Sequence, residues 1–279
     1  MNENTGATVF IGGGNMATAL IGGRVAAGAN ASGFRVVEPS ASQRDSLAAR
    51  FAGIRVFPAM TAEAVADADL VVFAVKPQQM AVAAKALAPH VGGVGVVLTI
   101  AAGIRTSDLS RWLGGYRRIV RAMPNTPALI GAGISGVYAA PDVAVDAREA
   151  TAAILRAAGE VLWFDDEAAL DGVTGVSGSG PAYVFYFLES LEDAARELGF
   201  SPDDARKLAY ATFSGAIALA QKSDADPATL RAQVTSKGGT TERALATLDA
   251  QRVKASIVAA VKNAVFRARE MGEEFGKDP

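Results

Sequence analysis

Thr8-Val9-Phe10-Ile11-Gly12-Gly13-Gly14-Asn15-Met16-Ala17 is the stretch from which the rest of the chain is read. Val9, Phe10 and Ile11 read as a short buried strand. Three glycines then turn the chain, and residues 15–25 read as a helix. The spacing is G-x-G-x-x-A, the fingerprint of a dinucleotide-binding turn. The first glycine permits the tight turn. The second lets backbone approach a pyrophosphate, and small Ala17 lets helix and strand pack closely. N–H groups at the helix start face the phosphates, with the positive end of the helix dipole behind them. Glycine-rich turns are common, so a plain tight turn is the competing reading. The place between a strand and a helix favours the dinucleotide.

Outward from this turn, strand and helix alternate to about residue 164. Strands are expected at 34–37, 54–57, 69–75, 94–100, 118–122, 134–139 and 161–164. Helices are expected at 42–51, from Thr61 as cap, at 77–88 with Pro77 in the first position, at 106–113 and at 143–157. The apolar run Asp69-Leu70-Val71-Val72-Phe73-Ala74-Val75 is of the kind buried on both faces of a parallel sheet. Such alternation implies an α/β, doubly wound Rossmann-type domain. After about residue 165 every element reads as helix: 181–198, 202–222, 227–234, 241–248 and 252–271. Residues 181–198 begin Pro-Ala-Tyr-Val-Phe-Tyr-Phe-Leu, apolar on all sides, as in a helix buried all round inside an oligomer. The charged tail, 272–279, is expected to fray. The expected organisation is a dinucleotide-binding domain over 1–165 and an all-helical one over 166–279.

Composition sets limits on function. Half of the 279 residues are hydrophobic, enough for a sizeable core, and the net charge is −2 with no basic run. Nucleic acid is therefore not an expected partner. No apolar run reaches the roughly 18 residues of a membrane span. Residues 1–6 are polar and acidic, unlike a secretory signal. There is no cysteine, hence no disulfide framework and no thiol nucleophile. A cytoplasmic protein is the simplest expectation. One histidine and no cysteine leave no His-rich or Cys-rich metal site, and no metal is expected. That histidine, His90, falls at the end of a helix before a glycine-rich turn, so acid–base chemistry by imidazole is not expected.

Several stretches carry possible chemistry. Val75-Lys76-Pro77 ends the fourth strand, where ligands of open α/β sheets lie. Lys76 is either a cofactor contact or a solvated lysine before a proline, and both readings stand. Ala101-Ala102-Gly103 ends the fifth strand, where small residues would let a nicotinamide ring lie close. Arg121-Ala122-Met123-Pro124-Asn125-Thr126-Pro127 ends the sixth with a loop stiffened by two prolines. Ser177-Gly178-Ser179-Gly180-Pro181 reads as a hinge or as a place of close backbone approach. Thr235-Ser236-Lys237-Gly238-Gly239-Thr240-Thr241 places glycines and hydroxyls just before a helix. That suits either an anion nest for a small carboxylate or an ordinary capped loop.

Together these stretches make the chain similar to the delta-1-pyrroline-5-carboxylate reductase family. The resemblance runs over residues 9–271 and rests on five separate motifs in order: 12–17, 75–77, 123–127, 177–183 and 236–241. It implies hydride transfer from NADPH or NADH to the C=N carbon of L-1-pyrroline-5-carboxylate, giving L-proline. It also implies an obligate homodimer with interlocked helical domains, further assembly of five dimers into a decamer, and active sites shared between subunits. By the same resemblance, Ile11 contacts the cofactor, and Gly12, Gly13, Gly14, Asn15 and Met16 take the pyrophosphate. Val75, Lys76, Pro77, Ala101 and Ala102 line the dinucleotide. Ser236, Gly238, Gly239, Thr240 and Thr241 hold the substrate carboxylate, with the Thr241 hydroxyl near the imine nitrogen as the catalytic contact. Glu167 and Asp224 match positions near the substrate ring. The family's usual 2′-phosphate contacts are replaced here by Val37-Glu38-Pro39-Ser40. Glu38 lies 21 residues past Ala17, where an acid accepts from a free ribose 2′-OH. Use of both nucleotides, NADPH ahead, is the expectation.

Two other readings remain at this point. A 3-hydroxyacid dehydrogenase would want a lysine on the helix linking the domains, and 181–198 has none. A dinucleotide-sensing regulator would need the glycine turn but not the 236–241 loop.

Overall fold

The computed structural model describes residues 6–277. Most of the polar N-terminal stretch, residues 1–5, and the last two residues of the charged tail lie outside the described residues.

Eight strands form one sheet: β1 (Ala7–Ile11), β2 (Phe34–Val37), β3 (Arg55–Phe57), β4 (Ala68–Phe73), β5 (Val96–Thr99), β6 (Ile119–Met123), β7 (Gly133–Ala139) and β8 (Gly159–Phe164). Their order is β3-β2-β1-β4-β5-β6-β7-β8. The first six are mutually parallel; β7 pairs antiparallel with β6, and β8 runs parallel to β7. The helices of this part are α1 (Asn15–Ala26), α2 (Ala41–Arg50), α3 (Ala62–Val65), α4 (Met80–Leu87), α5 (Thr106–Trp112), α6 (Val145–Arg156) and α7 (Ala169–Val173). The expected 77–88 helix starts as a 3-10 turn over Pro77–Gln79.

Side chains alternate across the strands, so the sheet carries a core on each face. Phe10, Val36, Val72, Leu98 and Val120 face Leu20 and Ile21 of α1, Leu47 of α2 and Leu155 of α6. Val9, Ile11, Val71, Phe73, Val97 and Ile119 face Met80, Ala84 and Leu87 of α4 and Leu109 and Trp112 of α5. Burial on both faces explains why β4 reads as an apolar run after Asp69. Where α1 crosses α6, a Cβ on Gly23 would meet the Ala157 carbonyl oxygen, so glycine sets that close approach.

Among the described residues after Phe164 only helices follow: α7, α8 (Gly180–Glu197), α9 (Pro202–Gln221), α10 (Pro227–Gln233), α11 (Thr240–Ala250) and α12 (Val253–Phe275). Ser201 caps α9 by accepting from Asp204 N, and Asp226 caps α10 by accepting from Thr229 N at 2.8 Å. That Thr229 N–H holds the Asp226 carboxyl below its ordinary range. The glycine stretch read as a hinge is wound up: Thr174–Gly178 forms a π turn, and Gly178 lies against Met123, whose Cε would be 2.7 Å from an added Cβ.

By their contacts the residues fall into two compact units. One comprises residues up to Ser179 and those from Asn263 on; the other is Gly180–Lys262. The sheet thus ends one residue before the expected boundary, while the first unit also takes in α7 and the last part of α12. The reason is packing at the C-terminus. The tail expected to fray from Gly272 continues as helix through Phe275, Gly272 is buried, and Phe275 packs on the core beside α5.

The helical unit holds a surprise for the expectation that 181–198 is buried all round. Within one chain α8 buries only Leu188 and Ala195, and α9 only Ala205 and Ala209. Phe185 is 63% exposed and Tyr186 68%, with Ile217, Leu219 and Val258 also open. The apolar faces are there, but one chain does not supply the surface that covers them. Exposure on this scale marks an interaction surface.

Candidate active site

β1 and β4 are neighbours in the sheet although helices and strands intervene in sequence, and the order of connections reverses between them. A crevice opens at such a switch point, beyond the carboxyl ends of the strands. Here it is a cleft of about 730 Å³. Gly12 turns away from β1 at φ +95°, a conformation that favours glycine, and a Cβ there would lie 2.8 Å from the Ala74 carbonyl oxygen. Gly14 is the N-cap of α1, and nothing lies within 4 Å of where its Cβ would be. That open space lies at the N–H groups of the helix start, the geometry that receives a phosphate. Ala17 is fully buried between helix and strand.

Glu38 follows β2 and is fixed by backbone. Its Oε2 accepts from Gly13 N at 2.9 Å and its Oε1 from Ser40 N at 2.8 Å. A carboxylate has about four acceptor sites, so two such bonds leave it able to accept from a sugar hydroxyl. Arg44 donates to the Glu38 and Pro39 carbonyl oxygens, and Gln43 to that of Gly13, so the α2 start is tied to the glycine turn.

Ile11, Gly12, Gly14, Glu38, Ser40, Val75 and Lys76 all line the cleft. Gly13, Asn15, Met16, Pro77, Ala101 and Ala102 do not. Asn15 is exposed at the start of α1, Met16 packs on the core, and Ala101 is buried at the end of β5. Three further pieces of wall were absent from the sequence reading: Pro58 to Met60 after β3, Gln78 and Gln79, and the Val82, Ala83 and Ala86 face of α4. Their place after β3 and β4, at the carboxyl edge, was the available signal. Val82 is 68% exposed, an apolar surface suited to the flat face of a base.

In the helical unit, the 236–241 loop leads into α11 with Gly239 as N-cap and Gly238 at φ +74°. Gly239 N donates to the Ser236 carbonyl oxygen. Glu242, overlooked in the sequence, accepts from Gly238 N at 2.6 Å. The loop is therefore capped, and the group it captures is a carboxylate. Thr240 and Thr241 occupy the first turn, whose N–H groups have no partner within the helix. Thr241 is half-buried; Thr240, Ser236 and Asp224 are exposed. Among the described residues no group of three or more histidines or carboxylates could hold a metal. No helix of theirs is long and apolar enough to cross a membrane.

Glu167, expected beside the substrate ring, lies in the sheet unit with both oxygens engaged. Thr106 N donates to Oε1 at 2.8 Å, Thr106 Oγ1 to Oε2 at 2.7 Å, and Arg121 to Oε1 at 3.1 Å.

Comparison with known proteins agrees with this layout. Residues 8–103 match the family described as NADP oxidoreductase, coenzyme F420-dependent. Residues 167–271 match the family described as pyrroline-5-carboxylate reductase dimerisation. The chain is 46% identical to the pyrroline-5-carboxylate reductase of Pseudomonas aeruginosa, over 96% of this chain and 97% of that one. It is 36% identical to that of Pasteurella multocida, over 95% and 98%. A solved pyrroline-5-carboxylate reductase from Coxiella burnetii superposes with a TM-score of 0.88 at 35% identity, covering 96% of this chain and 99% of that one. The Plasmodium falciparum pyrroline carboxylate reductase, solved with NADP bound, gives 0.85 at 27% identity, covering 97% and 99%.

Proposed function

Because the chain belongs to the pyrroline-5-carboxylate reductase family, we propose that it accelerates its reaction by positioning a protonated imine against the nicotinamide, without a strong general acid. The enzyme is an NAD(P)H-dependent oxidoreductase that reduces L-1-pyrroline-5-carboxylate to L-proline, the last step of proline biosynthesis. The observation that carries this reading is near-full-length identity to such reductases, together with a cleft built on the G-x-G-x-x-A turn. Hydride adds readily to a C=N carbon when nitrogen carries a proton, because the nitrogen takes up the electron pair as the hydride arrives. The carboxylate of the substrate is held by the N–H groups of the 236–241 loop and the start of α11. Thr241 accepts from the ring N–H, and Asp224 stands near the ring. Gly12 to Met16 hold the pyrophosphate, and Ala101 and Ala102 form the wall against the nicotinamide. The functional division falls near residue 165, between a dinucleotide half and a substrate and dimerisation half. Proline formation from the imine with each reduced nucleotide tests the reading; absence of turnover with both would end it.

Both nucleotides serve, and Glu38 weighs between them. Its anchored carboxylate accepts from the free 2′-OH of NADH, whereas a 2′-phosphate meets like charge. Glu38→Ala should therefore weaken NADH by roughly tenfold or more, the worth of a hydrogen bond to a charged acceptor, and weaken NADPH less. KM values for the two nucleotides decide this. An equal loss for both would mean that Glu38 never touches the ribose.

The enzyme is a homo-oligomer. Its unit is a dimer closed by the exposed faces of α8 and α9, with five dimers in the full assembly, working in the cytoplasm. Light scattering at low micromolar concentration should give no monomer; a well-behaved monomer would contradict the dimer.

A further inference from the structure

We propose that Glu167 is a positioning residue for the loop between β5 and α5, acting through Thr106, and not a ligand of the substrate. This rests on the reading that Ala101 and Ala102, within that loop, form the wall against the nicotinamide.

The need for such a residue follows from how α5 begins. Its N-cap is Arg105, which offers no side-chain acceptor, and its first residue is Thr106. First-turn N–H groups have no partner within their helix and must find one elsewhere. Glu167 supplies it from 61 residues away, taking both the backbone N–H and the hydroxyl of Thr106. A carboxylate at a helix start also meets the favourable end of the dipole. The other end of the loop is fixed by Thr99, whose Oγ1 accepts from Ala101 N at 3.3 Å. Between these ties Ile104 is fully buried, and a Cβ on Gly103 would lie 3.1 Å from Met271 Cβ. The loop has little room to relax.

The charges close the argument. Arg121, beside Thr99 across the β5–β6 ladder, is nearly buried, with 5% of its side chain exposed. It lies 3.1 Å from Glu167 and 3.6 Å from Asp171, and Arg269 lies 3.8 Å from Asp171. Two cations and two carboxylates balance. Glu167 is needed there to neutralise a buried guanidinium, and turning it toward a substrate would leave that charge uncompensated. Three of the roughly four acceptor sites of its carboxylate are already taken, two by Thr106 and one by Arg121.

The test uses the full-length enzyme with Glu167→Gln, Thr106→Val and the double variant. Acting through Thr106, each single variant should lower kcat for the imine by roughly ten- to a hundredfold, the effect of misplacing a wall of the site. KM for the imine and inhibition by L-proline, which shares its carboxylate and ring, should stay close to wild type. The double variant should be no worse than the worse single one, because the Thr106 hydroxyl acts only through Glu167. Thr106→Ser, which keeps the hydroxyl, should restore most of the rate. If Glu167→Gln does not fold, the contrast between Thr106→Val and Thr106→Ser decides. Unchanged kcat, a weakened affinity for L-proline in Glu167→Gln, or multiplying losses in the double variant would overturn the proposal. A wild-type enzyme that forms no proline would instead overturn the functional reading on which it rests.

Discussion

Thr241→Ala lowers kcat/KM for the imine by roughly ten- to a thousandfold, the range for one positioned polar contact at a reacting atom. Nucleotide affinity stays near wild type, because Thr241 lies on α11 and the dinucleotide cleft is built from the sheet unit. The size of the effect follows from what the site lacks. The chain has one histidine and no cysteine. His90 sits in the 3-10 turn after α4 and before β5. Because α4 runs back from the carboxyl end of β4, that turn lies at the strand-starting edge of the sheet, away from the cleft. His90→Ala should therefore be silent. With no imidazole at hand, the rate depends on holding the protonated ring in register with the nicotinamide, and positioning alone can supply several kcal/mol. Steady-state kinetics of the two variants check this. Loss of turnover in His90→Ala with a normal Thr241→Ala would require an imidazole acid.

Gly12→Ala costs the enzyme its nucleotide affinity by roughly a hundredfold or more, the penalty expected when the phosphate cradle shifts by about an ångström. The residue sits at φ +95°, where a side chain strains the backbone. Its Cβ would also lie 2.8 Å from the Ala74 carbonyl and 2.9 Å from Val75 Cγ1. Those atoms belong to the exit from β4, so relief requires the β1 and β4 ends to part, and they form the floor of the cleft. Titration of the variant with NADPH checks it. Near wild-type affinity would mean that the turn tolerates a left-handed alanine and that the cradle lies elsewhere.

Much of the fold was legible because its signals are local. The β4 run, the Thr61 cap and the Gly12 turn each carry their physical cause within a few residues. What was illegible depends on residues far apart. The π turn at Thr174–Gly178 lies against Met123 on β6, some fifty residues earlier in the chain. Residues 272–275 stay helical where Phe275 packs on the core that also holds Leu109 and Trp112 of α5. The exposure of Phe185 and Tyr186 reflects a surface that one chain does not contain. Of the cleft lining, Gly12, Gly14 and Glu38 were readable from spacing. The apolar wall on α4 was not, since Val82, Ala83 and Ala86 look like any amphipathic face. Glu167 was assigned by resemblance to the substrate; its bonds to Thr106 and Arg121 join three segments that no spacing rule connects.

The most direct test of the central claim is the fate of the hydride. The enzyme is supplied with L-1-pyrroline-5-carboxylate and NADPH carrying deuterium at the transferable position of the nicotinamide, and the product is analysed by mass spectrometry. Direct transfer predicts L-proline with one deuterium on the ring carbon next to nitrogen, formed in step with oxidised nucleotide. Proline without the label, or nucleotide oxidation without proline, would contradict it.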